Sequence, residues 1–186
     1  ENMPASDLVN FMYQNDGNGK FIDVTASLGL DMPSNSNGAA YADLDNDGDL
    51  YIIVNNINKE AFIIKNLHKE KEKSAYIKVK LTGKESNTLG LGAKVIVTAN
   101  GKKQAITQMP TRSYLSSMSP LLHFGLGDQK VDSIEVFWNS GKYQVLNAPE
   151  KNRIHDFKEI EATVTKEYKS LNQQPIFKSI PKQITF

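Results

Sequence analysis

Short apolar segments that alternate with polar residues run through the middle of the chain and predict β-strands. In the clearest of them, Ile77, Val79 and Leu81 alternate with Lys78 and Lys80. Successive side chains of a strand point to opposite faces. The spacing therefore predicts a half-buried strand whose lysines lie on the face away from the core. The pattern suits short strands better than long helices.

Turn signals between such segments predict two hairpins and a closing strand. Asn100-Gly101 is the strongest short-range hairpin signal, because both residues tolerate positive φ. Asn139-Ser140-Gly141 separates two further strand segments and predicts a second hairpin. Residues 153–157 are the predicted closing strand. Several short strands with regular turns predict a sandwich or jelly-roll-like domain over residues 75–161.

The rest of the chain divides around this predicted domain. Residues 1–66 also consist of strand segments joined by turns, and the apolar run at 50–54 is typical of a buried strand. The alternating charges that follow predict a solvated linker at 67–74. We expect residues 162–186 to form a linker and the start of a second unit like the first.

That expectation rests on a repeated apolar spacing near the end of the chain. The two sets of residues with the same spacing are Phe21, Val24, Leu28 and Leu30, and Phe177, Ile180, Ile184 and Phe186.

Composition narrows the function. The chain has 22 basic and 21 acidic residues and a formal charge of +1, so no field of one sign attracts nucleic acid or an anionic membrane. Cysteine is absent, which excludes thiolate chemistry. No apolar run approaches the roughly 20 residues that span a bilayer.

The most specific chemical signal is an aspartate-rich loop containing Asp43, Asp45, Asp47, Gly48 and Asp49. Carboxylates at alternate positions of a tightly curled loop can all point inward, and Gly48 permits the bend. Calcium takes six to eight oxygen ligands of this kind. Clustered carboxylates repel one another strongly unless a cation is present. A bound calcium ion is the natural explanation, and a metal-free loop closed by Asx turns is the alternative.

The loop is not an EF-hand. The twelfth position of an EF-hand loop is a glutamate followed by a helix, whereas here it is Val54 and strand residues follow. A calcium loop of a β-propeller or β-solenoid, which leads directly into a strand, remains. In such loops the ninth position usually supplies a further carboxylate. Here it is Tyr51, so the site is weak, completed by water, or empty.

No catalytic constellation emerges from the sequence. His68, His123 and His155 are the only histidines, and none is accompanied by a legible serine and aspartate arrangement. His123 lies in an apolar segment before a glycine-rich turn, where a structural histidine is expected. We therefore predict that the chain is not an enzyme.

A loop at Arg112 and Tyr114 is the candidate ligand-binding site. A guanidinium group beside an aromatic ring could bind a glycan or an acidic peptide by stacking and bidentate hydrogen bonds. The alternative is that Arg112 anchors the loop onto its own domain while Tyr114 packs. Trp138 is expected in the core rather than on a ligand platform.

Two segments resemble known families. The first is similar to a propeller blade of the FG-GAP/VCBS type, in which position 51 is an aspartate. The second resembles the ASPIC/UnbV domain. The carrying residues are Asn15-Asp16-Gly17, Phe21-Ile22-Asp23-Val24-Thr25 and residues 38–50 for the first segment. For the second they are Asn87, Gly90, Gly92-Ala93-Lys94-Val95, Arg112-Ser113-Tyr114-Leu115-Ser116, His123-Phe124-Gly125-Leu126-Gly127, Val136-Phe137-Trp138 and Ser140-Gly141.

The order of these segments is similar to that of long repeated-propeller proteins common in Bacteroidetes, which include relatives of cartilage acidic protein. The resemblance implies an all-β fold, a partial propeller blade followed by a sandwich-like domain. It also implies an extracellular, outer-membrane or cell-surface location, with neighbouring blades as partners. Three functions stay open: a calcium-supported recognition or adhesion module, a structural spacer between propellers, or part of a polysaccharide-processing enzyme whose site lies elsewhere.

Overall fold

A computed structural model describes residues 8–67 and 74–166, and nearly all their regular structure is β, as predicted. Two single 3-10 turns are present, Ala26–Leu28 and Glu159–Glu161. The strands are β1 (Leu8–Val9), β2 (Tyr13–Asn15), β3 (Phe21–Asp23), β4 (Pro33–Ser34), β5 (Ser36–Ala42), β6 (Tyr51–Asn56), β7 (Phe62–Ile64), β8 (Ala75–Thr82), β9 (Lys94–Ala99), β10 (Lys102–Thr107), β11 (Thr111–Ser113), β12 (Ser116–Ser117), β13 (Leu122–Gly127), β14 (Val131–Phe137), β15 (Lys142–Asn147), β16 (Arg153–Lys158) and β17 (Val164–Thr165).

The first region is built on an antiparallel three-stranded sheet of β5, β6 and β7, flanked by the pairs β2–β3 and β1–β4. Val54 is buried, but Ile52 and Ile53 are only half-buried. The prediction of a fully buried strand at 50–54 is therefore wrong. The reason is that a sheet buries both faces only when another layer covers each of them, and the described residues do not cover both faces of this one.

The second region is a two-sheet sandwich. One sheet has the order β10-β9-β14-β15-β17 and the other β13-β8-β16. The pairing is antiparallel except between β8 and β16, which run parallel. One core cluster draws side chains from both sheets, including Ile77 and Val79 of β8, Val97 of β9 and Ile134 of β14. Burying both inner faces in one core is what stabilises such a sandwich.

The predicted turns of this region are confirmed. β9 and β10 form an antiparallel hairpin around Asn100 and Gly101, whose φ angles of 46° and 73° are both positive. This is the conformation that matches the right-handed twist of the flanking strands. β14 and β15 pair around residues 139–141. Trp138 is buried in the core, as predicted, and its indole N–H donates to Gln144.

Strand β8 differs from its predicted orientation in one respect. The alternation of Ile77, Val79 and Leu81 into the core is confirmed. Lys80 is exposed as expected, but Lys78 is buried. The face of β8 opposite the core is covered at Lys78 by the aspartate loop of the first region, and period-2 spacing cannot show this.

The two regions approach closely at two glycines of the first. A Cβ on Gly38 would lie 2.7 Å from Ser116 Oγ and Tyr114 O of the β11–β12 arm. A Cβ on Gly48 would lie 2.2 Å from the Tyr76 ring. Both glycines allow a backbone approach that any side chain would block.

Two expectations fall outside the described residues: the charged run at 68–73 and the second unit beginning near Phe177. None of the helical segments in the described ranges is long and apolar enough to cross a bilayer.

Candidate metal site at the aspartate loop

The aspartate loop joins β5 to β6 and turns sharply. Asn46 and Gly48 have positive φ angles of 61° and 101°. Asn tolerates this conformation, and glycine adopts it without steric cost. The pairing of Ala42 with Tyr51 closes the base of the loop and fixes where its carboxylates lie.

Three of the predicted ligands come together. Asp43, Asp45 and Asp47 each offer a carboxylate oxygen, and these oxygens lie within 4.8 Å of one another. Asp49 is buried beside them but is not part of this group. The alternate spacing of the three aspartates therefore places their side chains on one side of the loop, as expected.

Backbone amides hold the carboxylates in place. Gly48 N–H donates to Asp43 Oδ2 at 3.0 Å, and Asp49 N–H donates to Asp47 Oδ1 at 2.8 Å. Asp47 N–H also donates to Asp45 Oδ1 at 3.3 Å. Each of these bonds uses one carboxylate oxygen to curl the loop.

Tyr51, at the ninth position, contributes a donor rather than an acceptor. Its hydroxyl donates to Asp45 Oδ2 at 2.9 Å. This hydrogen bond lowers the pKa of Asp45 and raises the pKa of Tyr51, because it stabilises the ionised carboxylate and the protonated phenol. Tyr51 thus occupies the position at which an aspartate would add a further negative charge to the loop.

Lys78 supplies a cation from the second region. Its ammonium group forms an ion pair with Asp43 Oδ2, and the two side chains are only 7% and 4% exposed. Local sequence patterns carry no signal for this pair, because its members are 35 residues apart. The Lys78 ammonium also lies 5.3 Å from the centre of the Tyr76 ring, within cation–π range.

One oxygen of the loop is left over. Asp43 Oδ1 is buried and has no hydrogen-bond partner within residues 8–67 and 74–166. An unsatisfied buried carboxylate oxygen is costly unless something binds it. Together with the grouped oxygens of Asp45 and Asp47, it gives a donor set of hard oxygens suited to calcium. The residues present therefore fit a divalent cation.

Comparisons with known families agree with this architecture. Residues 5–54 match the family model described as FG-GAP-like repeat, and residues 83–164 match the one described as ASPIC and UnbV. The chain carries an FG-GAP-like repeat followed by an ASPIC/UnbV domain. No curated protein gives a significant match to the chain. The combination indicates a repeat-type module of the extracellular kind.

Strand β8 precedes the matched range of the ASPIC/UnbV domain, yet it lies at the centre of that domain's three-stranded sheet and contributes to its core. It also carries Lys78 and Tyr76 toward the repeat. The segment before residue 83 is therefore structurally part of the domain.

A cleft of about 430 Å³, with both polar and apolar lining residues, adjoins the loop and is lined by both units. Tyr76 and His123 stack in it, with ring centres 5.5 Å apart. His123 Nδ1 is buried and finds no hydrogen-bond partner in the described part of the chain. Burial, followed by the nearby charge of Lys78, lowers the pKa of His123, while Asp43 and Asp49 act in the opposite direction.

The second candidate site lies in the ASPIC/UnbV domain. Arg112 Nε donates to the Met109 carbonyl at 3.0 Å, and Nη2 donates to the Thr107 carbonyl at 2.9 Å. These bonds favour the alternative in which Arg112 anchors its own loop. Tyr114 and Leu115 are exposed at the tip, so the tyrosine does not pack as that alternative expected. A role of Arg112 and Tyr114 in ligand binding stays a prediction.

Proposed function

We propose that this chain is a non-catalytic, calcium-associated recognition or adhesion module of an extracellular or cell-surface protein. Two matched families support an extracellular-type repeat module. The proposal rests above all on Asp43 Oδ1, a buried carboxylate oxygen without a partner among the described residues, in a loop that gathers three carboxylates.

Calcium bound at Asp43, Asp45 and Asp47 would neutralise the repulsion among these carboxylates. The loop's own backbone N–H groups already orient them, so little rearrangement is needed before an ion binds. Because the loop touches Tyr76 of the ASPIC/UnbV domain, an ion there would stiffen the junction between the two units. The role supported by this position is structural.

Recognition would use the β11–β12 arm. Its tip exposes Tyr114 and Leu115, and its base exposes Met109. Together they form a mixed aromatic and aliphatic surface suited to stacking on a sugar ring or packing on a protein. Arg112 holds the base of the arm, so the tip is presented on an anchored loop. We propose a glycan or protein ligand for this surface.

The histidine environments support a non-catalytic role. His155 Nε2 lies 2.9 Å from the Glu150 carbonyl oxygen, and His123 is stacked on Tyr76. Both arrangements fit structural histidines.

The calcium part of the proposal is tested by thermal unfolding and titration calorimetry of the full 186-residue chain. An ion that binds only the folded state raises the melting temperature. At a free calcium concentration of ten times Kd, it increases the free energy of unfolding by about 1.4 kcal/mol. Asp45→Asn keeps an acceptor for Tyr51 but removes a charged ligand, and should abolish the shift. Asp16→Asn, in a different Asx turn, is the matched control and should keep it. The calcium assignment would be overturned by an unchanged melting curve and no binding heat up to about 10 mM calcium. This concentration is about ten times the Kd of roughly 1 mM at the weak end for extracellular modules.

A structural spacer between propellers is the second candidate. The FG-GAP-like repeat leaves many large apolar side chains exposed, which suits contact with neighbouring blades. A glycan array separates the two functions. Binding that is lost in Tyr114→Ser but kept in Tyr13→Ser, an exposed tyrosine of the repeat, supports recognition. The spacer function is supported if the array shows no bound glycan and if Tyr114→Ser associates with neighbouring repeats as the wild type does.

A further inference from the structure

We infer that Lys78 is a resident counter-ion of the aspartate loop, and that it shares the Asp43 carboxylate with calcium and so weakens calcium binding. This inference rests on the proposed calcium site and names the residue that regulates it. The ASPIC/UnbV domain would in this way set the calcium affinity of the FG-GAP-like repeat.

The first observation is the burial of the pair. A lysine is rarely buried unless its charge is paired, and the side chain of Lys78 is almost fully enclosed against Asp43. Lys80, two residues along the same strand, lies on the same face of β8 but is 61% exposed, with a long contact to Asp156. The burial is therefore a feature of position 78 and not of the lysines of β8 in general.

The second observation is how the two oxygens of Asp43 are used. Oδ2 accepts from both Gly48 N–H and Lys78, while Oδ1 has no partner in the two described ranges. The Asp43 carboxylate therefore contacts the Lys78 ammonium group through Oδ2 and leaves Oδ1 available to a calcium ion. A divalent ion bound at Oδ1 would lie close to the ammonium group, and like charges at such short range repel strongly.

The third observation is the charge of the surroundings. Four aspartates in seven residues would disfavour a folded loop without any cation, and Lys78 offsets part of that charge in calcium-free conditions. Tyr51 assists, since its hydroxyl stabilises the Asp45 carboxylate without adding charge. Lys78 and Tyr51 thus stabilise part of the loop in the absence of a metal ion.

The test compares calcium affinity of the full chain and its Lys78→Met variant by titration calorimetry, with Lys80→Met as the matched control. Removing the competing charge should tighten the calcium Kd by about tenfold or more, whereas Lys80→Met should match the wild type. In calcium-free buffer Lys78→Met should melt at a lower temperature than Lys80→Met, and saturating calcium should remove this difference. If Lys78→Met does not fold, Lys78→Gln, which keeps a donor for Asp43 without the charge, is measured instead.

The outcomes separate the two claims. Calcium binding by wild type and Lys78→Met with equal Kd overturns the counter-ion inference and leaves the proposed function standing. Binding by Lys78→Met alone overturns calcium association of the native protein but supports the inference, because the lysine then excludes the ion. Binding by neither overturns both.

Discussion

The FG-GAP-like repeat and the ASPIC/UnbV domain are both made of short strands, but they differ in how they bury them. Val54 is the one hydrophobic residue of the described repeat, residues 8–67, that is buried, whereas the sandwich core holds side chains from both of its sheets. In the repeat, residues such as Phe21 and Ile63 are exposed. Strand patterning is thus not sufficient for a core, because each apolar face also needs a second layer.

The difference also explains where the two units depend on each other. Two enclosed acidic side chains of the repeat, Asp43 and Asp49, lie beside the sandwich. The aspartate loop is shielded from solvent at Asp43 by Lys78 on β8 of the neighbouring domain.

The sharpest test of the comparison uses one phenylalanine from each region. Phe124 is 1% exposed and Phe21 is 66% exposed. Phe124→Ala should lower the free energy of unfolding by about 3–5 kcal/mol, since it removes buried contacts and leaves a cavity. Phe21→Ala should change it by less than about 0.5 kcal/mol. Urea denaturation measures both, and equal losses would contradict the difference in packing.

A somewhat smaller effect is expected at the junction. Gly48→Ala both strains a positive φ and places a Cβ against the Tyr76 ring, so we expect a loss of roughly 2–4 kcal/mol. Gly19→Ala is the control, because Gly19 has a similar positive φ of 83° but open space around it. It should lose only about 1 kcal/mol from backbone strain.

The contact with Tyr76 can be isolated by adding Tyr76→Ala to both glycine variants. Thermal unfolding should then show similar losses for Gly48→Ala and Gly19→Ala. A Gly48→Ala loss that is unchanged in the Tyr76→Ala background would show that the two units do not approach as described.

The smallest effect concerns pH. The pKa of His123 is lowered in the folded state, so the unfolded chain binds the proton more readily. The contribution of His123 to the free energy of unfolding is greatest above the pKa of about 6.5 that it has in the unfolded chain. This contribution falls as the pH drops below that value toward the lower pKa of the folded state. His123→Gln should flatten this part of a melting-temperature profile recorded between pH 7.5 and 5.

The control for that profile is His155→Gln, which removes a histidine bonded to the Glu150 carbonyl outside the cleft. It should retain the loss of stability on the acid side. A wild-type profile without any such loss over this range would contradict the assigned environment of His123.

Much of the fold could be predicted from the sequence because its signals are local. The Asn100-Gly101 turn requires positive φ at both positions, and the alternation in β8 separates core from non-core side chains. The grouping of Asp43, Asp45 and Asp47 is equally local, since a bent loop with carboxylates at alternate positions brings them together. Each of these features depends on residues close in the chain.

What only the tertiary structure decided depends on which surfaces meet. The sequence determined an all-β chain, its two hairpins and an acidic loop entering a strand. It could not determine that Lys78 is enclosed against Asp43, that the Tyr51 hydroxyl binds Asp45, or that strand β6 is only half-buried. Residue spacing fixes the side of a strand on which a side chain lies. Whether that side meets water, a carboxylate or another layer is set by contacts between residues far apart in the chain.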